Sequence, residues 1–206
     1  MHNFIYTFFI AFTNNIDNIG VRIAYSIRGT TIGTFINLWI SVITFVISFF
    51  SALCGTFLSE FLGREWTSIF AMLLLTAIGV WMILEPFIRK NENKTIEGNQ
   101  GESKSIFHIL LNPQHADMDN SNNIDFKEAT LLGLGLSINN VGGAVSAGMI
   151  GLNSFWVGLL SAVLSFIALW AGNYIAELFI KWKITKKATI VGGLLLIAIG
   201  IEQMIK

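Results

Sequence analysis

The chain has 206 residues, 53% hydrophobic and only 13% charged, with a mean hydropathy of +0.65, whereas a soluble domain carries about 25% charged residues. Its 13 basic and 13 acidic side chains cancel, which argues against a nucleic-acid partner, and a single cysteine, Cys54, excludes a disulfide framework. Twelve of the charges lie between Arg89 and Glu128, the pattern of a membrane protein with one polar insertion rather than of a cytosolic globule.

A helix that crosses a bilayer needs about 20 mostly apolar residues. Six segments qualify in chain order, roughly 4–27, 34–59, 66–86, 129–150, 154–179 and 188–205. The first lacks a basic leader and is interrupted by Asp17, so it reads as a retained span rather than a cleaved signal. After the third span comes a polar loop, 88–127, whose first half, Asn91–Ser103, has a disordered composition. The uncharged stretch Ala129–Ala176 is too long for one span, and the turn Gly151-Leu152-Asn153-Ser154 divides it. Loops after spans 1, 3 and 5 hold ten Lys and Arg residues against two, Arg64 and Lys206, on the other side. The positive-inside rule therefore puts the loop in the cytoplasm and both termini outside a bacterial cell membrane. Trp182, among Lys181, Lys183 and Lys186, fits an anchor at the headgroups.

The two halves repeat. Ile16-Asp17-Asn18-Ile19-Gly20 lies over Ile138-Asn139-Asn140-Val141-Gly142, and Gly29 falls on Gly151. Three spans per half is an odd number, so the second half enters the membrane in the opposite sense. The expected fold is an all-α polytopic membrane protein of six transmembrane helices in two inverted three-helix repeats. Its parts are a first repeat (1–87), the cytoplasmic loop (88–127) and a second repeat (128–206).

An ionisable group near the bilayer centre costs about 2.5–3.5 kcal/mol on insertion scales and marks a functional position by default. Asp17 sits midway along span 1, with Asn14 and Asn18 on the same helical face. Asn139 and Asn140 take the equivalent place in span 4, after Ser137. One carboxylate and several amide carbonyls are hard oxygen donors suited to Mn²⁺, Mg²⁺ or Ca²⁺. Nearby glycines would let backbone carbonyls join by local unwinding. The amides also fit interhelical glue, and Thr44, Ser48, Ser161 and Ser165, repeat partners on spans 2 and 5, fit packing equally well. His2, His108 and His115 fall outside the spans, which removes zinc- or copper-type ligand sets and a membrane-embedded Ser–His pair. No enzyme is expected.

The loop carries a second motif. Asp117-Met118-Asp119-Asn120-Ser121-Asn122-Asn123-Ile124-Asp125-Phe126-Lys127-Glu128 matches the twelve-residue EF-hand spacing. Asp117, Asp119, Ser121, the Asn123 carbonyl, Asp125 and Glu128 would hold Ca²⁺, with Asn122 at the turn position usually taken by glycine. The competing reading is an acidic, Asn-rich linker.

The segments Asn15-Ile16-Asp17-Asn18-Ile19-Gly20-Val21 and Gly135-Leu136-Ser137-Ile138-Asn139-Asn140-Val141-Gly142 resemble the two signatures of the manganese efflux pump family. The likeness is strongest to its branch of sporulation membrane proteins (YtaF-like), and it covers essentially the whole chain. It implies a small transporter-type fold, with Asp17 and position 139 lining a path for a divalent cation, Mn²⁺ first. This chain has Asn139 where the family pattern has an aspartate, and Arg22 where it has a small residue. Arg22 is expected either to snorkel to the cytoplasmic interface or to add positive charge beside the path. The expected function is divalent-cation export with a calcium-binding cytoplasmic loop. The alternative is a non-transporting, calcium-responsive sensor or scaffold on the same fold. The partners are the lipid bilayer and divalent cations, and a homodimer is left open.

Overall fold

The computed structural model describes residues 2–28, 30–92, 117, 121–182, 190, 194, 197 and 201. Among these, five helices carry the fold: α1 (His2–Asn14), α2 (Ile16–Arg28), α3 (Thr34–Glu92), α4 (Phe126–Met149) and α5 (Ser154–Trp182). Most of the sixth expected span and of the polar loop lies outside the described residues.

Two of the described stretches, Thr34–Leu62 within α3 and Ser154–Ala171 within α5, are long and apolar enough to cross a membrane. Their amphipathicity is inverted relative to a water-soluble helix. Along α3, Phe35, Leu38, Val42, Val46 and Phe50 are exposed, while Asn37, Ser41, Thr44 and Ser48 are buried. On α5, Val163, Ile167 and Trp170 face outward and Ser161 and Ser165 inward. Apolar flanks around a polar interior suit hydrocarbon as solvent.

The first expected span, 4–27, is not one helix. It breaks at Asn15, whose amide donates to the Phe12 carbonyl (3.2 Å) and whose Nδ2 donates to the Ala11 carbonyl (2.8 Å). The side chain thus replaces a main-chain bond and lets the chain change direction without a glycine. Spans 34–59 and 66–86, expected as separate helices, are instead arms of one helical run. That run doubles back. Thr67 Oγ1 donates to the Ser59 carbonyl at 3.3 Å, although eight residues of straight helix would separate them by about 12 Å.

The first arm of α3 runs parallel to α4. Ile43 lies against Gly133, and further along Ala52 lies against Gly148 and Gly55 against Val145. At Gly55 and Gly148 a Cβ would collide with the opposing backbone, so glycine is what allows these helices to touch. The antiparallel α5 crosses the same arm, with Asn37 Nδ2 donating to the Phe166 carbonyl (3.0 Å). Gly151, at φ +79°, closes the expected turn between α4 and α5.

Two apolar clusters cap the interior. One joins Ile10, Ala52, Leu75, Ala144, Ala147, Leu152 and Val157 at the C-terminal end of α4. The other joins Tyr25, Ile32, Ile40, Ile124, Ala129, Leu132, Leu136 and Leu169 at its N-terminal end. Between them, Ser137 and Asn140 mark a polar layer.

Candidate cation site

The break at Asn15 presents a run of amides to the middle of the helix bundle. Asn15 Oδ1 accepts from Asn18 Nδ2 at 3.0 Å and from Asn140 Nδ2 at 3.4 Å. Asn18 Nδ2 also donates to Ser165 Oγ at 3.1 Å. The network continues through Thr44 Oγ1 to Ser165 Oγ (3.5 Å) and from Ser137 Oγ to Thr44 Oγ1 (3.2 Å). Asn18, Thr44, Ser137, Asn140 and Ser165 are all fully buried. Asn14 completes the layer, its side chain pressed against Gly143 one turn beyond Asn140.

Three amide oxygens in this layer, Asn14 Oδ1, Asn18 Oδ1 and Asn140 Oδ1, have no hydrogen-bond partner among the described residues. An unsatisfied buried carbonyl costs about 1–3 kcal/mol. Several gathered in one place form a hard-oxygen donor set, the kind that takes Mn²⁺, Mg²⁺ or Ca²⁺.

Of the five residues expected at the membrane site, the structure brings together Asn14, Asn18 and Asn140. Asp17 lies on α2 between Asn14 and Asn18, and its side chain lies outside the described residues. Asn139 is exposed on α4 while its neighbour Asn140 is buried, because adjacent helical residues point about 100° apart. Thr44 and Ser165 belong to the polar network rather than to packing alone. Asn15 had no assigned role, yet it is the hub. Its signal in the sequence is only its place inside the repeated polar segment.

Arg22 does not snorkel. It is 0% exposed, with Nη1 3.5 Å from the Thr30 carbonyl, while Nε and Nη2 have no hydrogen-bond partner among the described residues.

The motif at 117–128 is organised differently from the ligand cage its spacing suggests. Asp125 caps α4, its Oδ1 accepting from the Glu128 amide (2.8 Å), and Glu128 Oε2 accepts from the Asp125 amide (3.1 Å). This capping box accounts for the Asp-x-x-Glu spacing on its own terms. Asp117 Oδ2 accepts from Thr30 Oγ1 at 3.4 Å, and Ser121 Oγ donates to the Asn123 carbonyl at 2.9 Å. Among the described residues no group of three or more Asp, Glu, His or Cys side chains is placed to hold a metal ion. Asp119 lies outside them. Asn122 adopts φ 61°, the left-handed backbone that position six of such a loop requires.

Comparison with known proteins adds a family. The model described as “Mntp: Putative manganese efflux pump” matches residues 34–204. The chain is 30% identical over 202 residues to the “Probable sporulation protein YtaF” of Bacillus subtilis (strain 168), covering 95% of this chain and 96% of that one. No solved structure matches it.

Proposed function

This chain belongs to the Mntp family, and from that premise we propose that it is a membrane transporter exporting a divalent cation, Mn²⁺ first, through the buried amide layer. The observation that carries the reading is the set of three amide oxygens, from Asn14, Asn18 and Asn140, without a hydrogen-bond partner among the described residues, beside a broken helix. Discontinuous helices near the bilayer midplane are where transporters of inverted-repeat design hold their ions. Asn18 and Asn140 are repeat-mates, and both reach the same layer.

In this reading, 1–87 and 128–206 are inverted three-helix repeats joined by the cytoplasmic loop 88–127, with both termini outside. The parallel course of the first arm of α3 and α4, and the antiparallel course of α5, agree with that topology. Asp17 supplies the negative charge, and the amide oxygens replace water around the ion. The apolar clusters above and below make the layer an occluded compartment. Export then consists of parting one cluster while the other stays shut. Segment 117–128 is read as a calcium-responsive loop, supported by its spacing and by the left-handed Asn122. Its described acids cap α4 and meet Thr30.

The test is Mn²⁺ uptake into proteoliposomes that contain a manganese-quenched dye. Asp17→Asn should abolish uptake while the protein remains folded, and Asn139→Asp, which adds a second carboxylate, should increase flux or affinity. Flux unchanged by both variants would overturn the transport reading and favour the sensor or scaffold.

A further inference from the structure

A cavity of about 600 Å³ opens at the end of the bundle where α1 and α5 begin, between α1, α3 and the α4–α5 turn. Asn3, Thr7, Thr56, Leu152, Asn153 and Trp156 border it. The same elements supply the amide layer, α1 through Asn14, α3 through Thr44 and α4 through Asn140. On α1, Asn3, Thr7, Ile10 and Asn14 recur at helical spacing on one face. On α3, Thr44, Ser48, Ala52 and Thr56 follow at four-residue steps along one ridge. Both rows run from the layer to the cavity, and an apolar residue interrupts each, Ile10 on α1 and Ala52 on α3. These two join Leu152 in one apolar cluster. The plug they form is roughly 10–12 Å thick, measured along the helix from Thr7 to Asn14 on α1 and from Ser48 to Thr56 on α3.

Thr7 Oγ1 donates to the Asn3 carbonyl (2.7 Å), and Thr56 Oγ1 donates to the Ala52 carbonyl (3.1 Å). Each hydroxyl proton is held by its own helix, so what the hydroxyl offers the cavity is an oxygen lone pair. Back-bonded threonines are ordinary packing residues in apolar helices, but these two border a space that packing would have closed. A divalent ion with six waters needs roughly 180 Å³, at about 30 Å³ per water, and fits. The walls of the plug differ in freedom. α3 and α4 meet backbone to backbone at Gly55 and Gly148, so they cannot slide without losing that contact. α1 joins α2 at the Asn15 break, where a side chain stands in for a main-chain bond, and residues at the ends of elements are where hinges form. Its outer face carries Phe8 and Phe12, which lose nothing by moving through lipid tails as apolar as themselves.

We propose that this cavity is the vestibule into which the cation is released, and that α1, swinging about Asn15, opens it to the amide layer by withdrawing Ile10 from Ala52 and Leu152. This rests on the cation-path reading above.

The experiment pairs Mn²⁺ flux in proteoliposomes of the full chain with Mn²⁺ binding in detergent. Thr7→Trp, which fills the vestibule, should lose flux yet still bind Mn²⁺ as the parent does, because the layer is untouched. Phe8→Trp, on the outer face of the same helix, should transport normally. With Cys54 replaced, Thr7→Cys and Thr56→Cys together set a thiol on each wall for a reducible bifunctional reagent. Cross-linking should stop flux, and reduction should restore it. Parent-like flux in Thr7→Trp, a loss shared by Phe8→Trp, or flux that persists through the cross-link would overturn the vestibule alone. Loss of binding along with flux in Thr7→Trp would assign Thr7 to the fold, and overturn it too. A parent without Mn²⁺ flux would overturn the transport reading and the vestibule with it.

Discussion

Asn15 holds the buried amide layer together with a single side chain. Its oxygen takes two donors, from Asn18 and Asn140, and its nitrogen satisfies the Ala11 carbonyl. Asn15→Ala should therefore destabilise the protein by about 1–3 kcal/mol, the cost of leaving buried polar partners unpaired, read as a lower unfolding midpoint in detergent. Asn15→Asp keeps the acceptor but loses the donor to the Ala11 carbonyl and buries a carboxyl group, so it should destabilise at least as much. The buried Asn14 and Asn18 were legible in the sequence because polar residues at helical spacing stand out in an apolar run. Asn15 was not, because a continuous helix turns it off that face. Only the break brings it inward, and a helical wheel has no break. Repeat alignment pairs Asn139 with Asp17, and on α4 Asn140 is buried while Asn139 is exposed.

At the level of elements, α4 shows how one spacing serves two structures. Asp125 and Glu128 satisfy both a calcium loop and a capping box, and the sequence offers no way to choose. Glu128→Ala should cost about 1 kcal/mol of stability through the lost cap alone. Asp117→Asn leaves that cap intact and separates the two roles. In calorimetric titration, calcium heat in the parent that vanishes in Asp117→Asn would support the loop, and identical traces would leave only the cap. The close approach of α3 and α4 was also hidden in the sequence. Gly55 and Gly148 were merely glycines in apolar runs until the opposing backbone was seen against them. Gly148→Leu should force the helices apart and destabilise by at least about 1–3 kcal/mol, visible as loss of a monodisperse, cooperatively melting species. The turn at Gly151 was readable because only a turn divides an apolar run too long for one span. The sequence separated spans 34–59 and 66–86, whereas helical turns continue through the reversal between them.

On the scale of the whole molecule, the inside-out pattern follows from composition. A chain with 53% hydrophobic residues cannot bury them all, so it turns them toward lipid and keeps its amides for the centre. Orientation was argued from lysine and arginine bias, and it has its own check. With Cys54 replaced, a cysteine at Ser103 should resist an impermeant thiol reagent in intact cells and react after lysis. Labelling from outside would invert the topology.

The central claim is that one divalent cation is held in the midplane layer by Asp17 and the surrounding amides. Mn²⁺ itself reports on this, because the electron paramagnetic resonance signal of the free aqua ion fades as the ion is bound. Titrating purified protein should remove about one equivalent of free signal per chain, as a single shared donor set requires. That binding should be lost in Asp17→Asn, weakened in Asn18→Leu and Asn140→Leu, and retained in Asp117→Asn. Binding that survives Asp17→Asn but disappears in Asp117→Asn would place the ion in the 117–128 loop and contradict the proposed site.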